Sequence, residues 1–153
     1  MQDELSLTSG DCHLQVAPSL GGAIRRFDWR GMPVLRPSAG ESILDAACFP
    51  LVPFSNRIAR GQFDWNGRQV VLKPNFPGSD HPHPLHGFGW LSPWTVLRHE
   101  PDRVVLEHHH HADEWPWSCR AELEYVVFGA GLRASLMVTN LADVAMPAGV
   151  GFH

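Results

Sequence analysis

The stretch Asn75–Trp94, NFPGSDHPHPLHGFGWLSPW, concentrates the groups most able to do chemistry. His81, His83 and His86 stand in it among prolines and glycines, followed by Trp90 and Trp94. This much Pro and Gly excludes a helix or a regular strand. A long loop that is both aromatic and histidine-rich points to function. Two chemistries fit. In one, the His-x-His pair and the third histidine ligate a metal, as in cupin-type barrels. No carboxylate follows His83 at the spacing such a site needs. In the other, His81 and His83 are exposed loop residues and His86 is the working group. Its imidazole, with a pKa near 6.5, exchanges protons at neutral pH. Trp90 and Trp94 then offer an apolar face to a sugar ring, or are simply core.

Three further sets of residues bear on chemistry. Asn56-Arg57 sits in a Pro-flanked loop, and the five donors of Arg suit sugar hydroxyls or a ring oxygen. A loop-closing ion pair or backbone bond explains the same residues without any ligand. His108–His111 is flanked by Glu107, Asp113 and Glu114. Adventitious metal binding is one reading and a solvated strand end the other, since neighbours on a strand face opposite sides. His153, at the end of the sequence, follows the apolar and Gly-rich run Met146–Phe152.

The elements that must position these groups are short and alternating. Glu4–Ser9 and Cys12–Val16 predict a hairpin across Gly10-Asp11, and Ala23–Trp29 with Met32–Leu35 a second across Arg30-Gly31. Ser42–Ala47 fits one helical turn or a strand, and Leu51–Gly61 reads as a loop. Gln62–Trp65 and Arg68–Leu72 flank Asn66-Gly67, a dipeptide that accepts positive φ at both turn positions. Past the His-rich loop, Trp94–His99 and Arg103–His109 predict strands, then Trp117–Phe128 and Leu132–Asn140, and a last segment Ala145–His153. No amphipathic helix longer than two turns stands out. The class is all-β, an antiparallel sandwich or barrel, in a single domain over 1–153.

With 153 residues, the chain can bury a core without a disulfide or metal staple. A formal charge of −4 argues against nucleic acid or an anionic membrane as the main partner. Cys12, Cys48 and Cys119 lack paired spacing, which fits a reducing, cytoplasmic setting. The acidic N-terminus has no apolar run, so no signal peptide is expected, and no segment has the length of a membrane span.

Taken together, Pro53–Phe63 (PFSNRIARGQF), Asn75 leading to His83–Gly87 (HPLHG), Val138–Asn140 (VTN) and Met146–His153 (MPAGVGFH) resemble the N-terminal part of the aldose 1-epimerase, or galactose mutarotase-like, family. The resemblance runs over essentially the whole chain. It implies a large antiparallel β-sandwich, the supersandwich, here truncated. It implies interconversion of the α and β anomers of a free hexose by acid/base ring opening, with no cofactor and no metal. Asn56 and Arg57 take the positions that contact the sugar, with Asn75 and Trp90 as further substrate-binding residues. His86 falls beside the ring oxygen, and His153 becomes the general acid. The family's substrate-binding Asp and catalytic Glu come later than residue 153. The chain is therefore expected to be part of an epimerase, weak or inactive alone, and prone to self-association through uncovered sheet surface. A non-catalytic carbohydrate-binding module is the alternative.

Overall fold

The computed structural model describes residues 4–153. Its two main layers are four-stranded antiparallel sheets. The first runs in chain order through β1 (Leu5–Ser9), β2 (Cys12–Ala17), β3 (Ala23–Trp29) and β4 (Met32–Leu35). The second joins β8 (Thr95–Glu100), β9 (Arg103–His110), β10 (Cys119–Phe128) and β11 (Gly131–Asn140) in sequence. Strict alternation explains both layers: along β10, Cys119, Ala121, Leu123, Tyr125 and Val127 are buried, and the residues between them are not. Ala121, Leu123, Tyr125 and Val127 meet Leu7, Leu14, Val16 and Ile24 of the first sheet in one core. The Tyr125 hydroxyl crosses the layers and donates to the Gly22 carbonyl at 3.0 Å. This is the antiparallel sandwich that the alternation predicts.

Two small sheets carry the loops. β6 (Gln62–Trp65) and β7 (Arg68–Val71) form the Asn-Gly hairpin, with Asn66 and Gly67 both at positive φ. β5 (Pro50–Leu51) pairs antiparallel with β12 (Gly151–Phe152). This last pair departs from the expected pattern. The segment Ala145–His153 contributes only two strand residues, and their partner lies in a stretch that reads as a loop. A ladder of two residues, closed across a hundred residues of chain, leaves no periodicity to read. Ser42–Ala47 resolves as a 3₁₀ turn over Ile43–Asp45, with the Ser42 hydroxyl capping Leu44 N–H. β9 extends to His110, which is buried, so the four-histidine run is not wholly a solvated strand end: only His109 and His111 are exposed. Among the described residues, no helix is long and apolar enough to cross a membrane.

Candidate functional site

His86 is held by its backbone before its side chain does anything. It adopts φ +60, and so does the facing Asn56 at φ +67, a conformation that costs an L-residue about 1–2 kcal/mol. Reciprocal bonds hold the two residues together. His86 N–H donates to the Asn56 carbonyl, and Asn56 N–H donates to His86 Nδ1, both at 2.9 Å. Asn75 braces the loop from below: its Nδ2 donates to the carbonyls of Leu85 and Gly87 at 2.8 Å each, and its Oδ1 accepts from Leu85 N–H at 2.7 Å. Trp90 Nε1–H adds donations to the same two carbonyls at 3.0 and 3.2 Å. Gly87 must be glycine, because a Cβ there would lie 2.3 Å from the Val52 carbonyl oxygen.

His153 arrives by the β5–β12 pairing. Its N–H donates to the Phe49 carbonyl at 3.0 Å, and its ring lies flat on the Phe49 ring, centroids 4.5 Å apart and planes within 6°. Phe49 stacks in turn on Trp90 at 5.8 Å. His86 stands edge-on to this column, 6.0 Å from His153 and 5.8 Å from Trp90. Two imidazoles therefore share an aromatic floor.

The hydrogen bonds decide the proton. A backbone N–H can only donate, so His86 Nδ1 accepts and Nε2 carries the hydrogen. Desolvation lowers the His86 pKa, and the positive charges of His153 and Arg57 lower it further. At neutral pH the ring is an uncharged donor at Nε2. Arg57 is exposed, pairs its backbone with Leu85 in an isolated bridge, and sends Nη1–H to His81 Nδ1 at 3.2 Å and to the His83 carbonyl at 3.4 Å. Arg60 N–H donates to His83 Nδ1 at 2.9 Å.

The residues singled out in the sequence thus fall in two layers. His86, His153, Asn56 and Arg57 are solvent-accessible, and Asn75 and Trp90 lie beneath them. Trp90 is 1% exposed, and Asn75 spends its amide on the loop carbonyls. Their geometry is that of supports. Trp94 is also buried, with its Nε1–H on the Gly89 carbonyl at 2.9 Å. His81 and His83 are half-buried and bonded to the Arg57–Arg60 turn, not free loop residues. Phe49, central to the stack, escapes a reading by residue type, because a lone Phe before a Pro carries no signal of its own.

The sequence profile described as Aldose 1-epimerase matches residues 3–153. The YphB protein of Escherichia coli K12 is 36% identical over 150 residues, covering 97% of this chain and 50% of that protein. A crystal structure from the same organism, described as a candidate aldose 1-epimerase, superposes with a TM-score of 0.89 at 34% identity, over 97% of this chain and 50% of the other. A galactose mutarotase-like protein from Clostridium acetobutylicum shares the fold at TM-score 0.80 and 22% identity, over 97% and 48% of the respective chains. The chain spans about half the length of each of these relatives.

Proposed function

The chain belongs to the aldose 1-epimerase family, and from that premise we propose that it carries the ring-oxygen side of a mutarotase site. The observation that supports this best is the pairing of His86 and His153 on the Phe49–Trp90 column. In this reading the aldohexose lies over the two imidazoles. His86 Nε2–H donates to the ring oxygen, and His153 delivers the proton that opens the ring. Asn56 and Arg57 bind hydroxyls at the exposed edge. Asn75 and Trp90 act from below, by fixing the carbonyls on either side of His86. The aldehyde rotates about C1–C2 and closes on the other face, with the transfers reversed.

Mutarotation also needs a base for the anomeric hydroxyl. Desolvation is the main influence on His86, and the groups whose charge acts on it are His153 and Arg57, with no carboxylate among them. The base in our reading comes from outside residues 1–153. A positioned base contributes roughly 10²–10⁴ in rate, so its absence costs about 3–5 kcal/mol of barrier. The chain alone then binds aldose and turns it over poorly, in a reducing compartment suited to three free thiols. Uncovered sheet edges also favour self-association.

Two measurements on the 153-residue chain test this. Titration with a hexose should shift the imidazole NMR signals of His86 and His153; unmoved signals would remove the sugar reading. Polarimetry on freshly dissolved α-anomer should give a rate close to buffer. A rate far above buffer that vanishes in His86→Ala would show the site to be complete in this chain. Sugar binding without turnover, even when the other half of a relative is supplied, would favour a carbohydrate-binding module.

A further inference from the structure

The three histidines of the loop share one feature, of which the mutarotase reading uses only the part at His86. Each has its Nδ1 occupied by a group that can only donate. Arg57 Nη1–H and His83 N–H point at His81 Nδ1, at 3.2 and 3.4 Å. Arg60 N–H points at His83 Nδ1, and Asn56 N–H at His86 Nδ1, both at 2.9 Å. All three rings are therefore held in the tautomer with hydrogen on Nε2. An Nε2 that carries hydrogen has no lone pair for a metal, so the tautomers argue against the His-x-His metal reading. They leave three ring N–H donors, with the Arg57 guanidinium bonded to His81 and the exposed residue Arg60 tied to His83 through its backbone N–H.

Among the described residues, no acidic side chain pairs with Arg57 or Arg60. Desolvation lowers the pKa of His81, and Arg57 and His83 act in the same direction. Asp80, the residue before His81, makes no ion pair with Arg57 or Arg60 among the described residues, and Glu114 is bound to Lys73. A rim of donors and cations without acceptors is matched to an oxyanion and mismatched to a neutral polyol, whose hydroxyls need acceptors as well as donors. Arg60 adds a second point: it holds φ +54, a strained conformation for a side chain of its size, and that turn is what presents its N–H to His83.

We propose that the Arg57–Arg60–His81–His83 rim binds a phosphate monoester, so that the aldose taken by the neighbouring His86–His153 pair is a sugar phosphate. The proposal rests on the aldose reading above and narrows it. Arg57 joins the two parts, since it touches His81 and its charge also reaches His86.

The test compares hexose 6-phosphate, the parent hexose and inorganic phosphate as ligands of the 153-residue chain, by calorimetry and by the imidazole NMR signals. The hexose phosphate should bind at least about tenfold tighter than the hexose, the scale of one or two charge-assisted bonds, and that ratio should fall as salt is raised. In Arg60→Asn the ratio should drop towards one. Asparagine tolerates the left-handed backbone, so the turn persists while the charge is removed. Equal binding of hexose and hexose phosphate overturns the phosphate assignment and leaves the aldose reading standing. Tight binding of the phosphate ester that ignores both salt and Arg60→Asn also overturns it, because the ester would then sit elsewhere. Inorganic phosphate bound as tightly as the ester, with no hexose binding, removes the sugar from the site and both readings with it.

Discussion

β10 and the His86 loop are built on opposite principles. In β10 the backbone is ordinary and the side chains carry the structure: five alternate residues are buried, and the ladder pairs residue by residue with β9 and β11. In the loop the side chains serve the backbone. Asn56, Arg60 and His86 sit at positive φ, Gly87 is packed against the Val52 carbonyl, and Asn75 and Trp90 spend their polar groups on loop carbonyls. The sandwich stores its stability in apolar contact, which tolerates small errors of position. The loop stores its precision in hydrogen bonds, which do not. A mutation in β10 should therefore cost stability first. One in the loop should cost function first.

The largest effect separates them most sharply. Leu123, fully buried in β10, should lose about 2–5 kcal/mol on truncation to Ala, measured by urea unfolding. The His86 imidazole signals of the variant should stay where they are in the folded chain. Movement of those signals in Leu123→Ala would show that the loop leans on the core after all. Asn75→Ala comes next. It leaves Leu85 N–H without its acceptor and removes one of two donors from the Leu85 and Gly87 carbonyls. We expect about 2–3 kcal/mol of destabilisation and loss of the Nε2–H signature of His86. An unchanged His86 signal would mean that Trp90 and Asn56 suffice to hold the loop. Tyr125→Phe should be smaller, about 1 kcal/mol, the worth of one hydrogen bond across the layers to Gly22, with no effect on ligand binding.

The same contrast explains what the sequence discloses. Strands β1 to β4 and β6 to β11 announce themselves, because period-two alternation and turn residues such as Asn66-Gly67 act locally. His86, Arg57 and His153 stand out by type and by family resemblance. The supports do not. The β5–β12 pair brings His153 to Phe49 from the far end of the sequence, and no local pattern encodes it. Asn75 reads as a ligand contact by family resemblance, and Trp90 because an indole suits a sugar ring. Only the partners of their polar atoms reveal that they hold the loop. Positive φ at His86 is equally silent, since histidine gives no warning of it.

The smallest effect compares one histidine from each region under acid. Desolvation lowers the pKa of His86 in the loop, aided by the charges of His153 and Arg57. Desolvation also lowers that of His108 on β9, where a hydrogen bond from Nδ1 to the Pro93 carbonyl works in the opposite direction. In both cases the folded pKa lies below the unfolded value near 6.5, so the unfolded chain binds more protons as pH falls. The stability linked to each ring is fully present above the unfolded pKa. It is lost as pH drops from there through the folded pKa. The melting temperature should thus fall on acidification below about pH 6.5, and His86→Asn and His108→Asn should each remove part of that slope. The NMR titration midpoint decides the point for each ring. His108 keeps its Nδ1–H bond to the Pro93 carbonyl and accepts a proton at Nε2, but protonating His86 at Nδ1 sets two hydrogens against each other unless Asn56 gives way. His86 should therefore be the ring whose titration shifts the signals of its neighbours in the loop. A midpoint at or above the ordinary value, with Asn56 undisturbed, would show that the amide does not hold the tautomer.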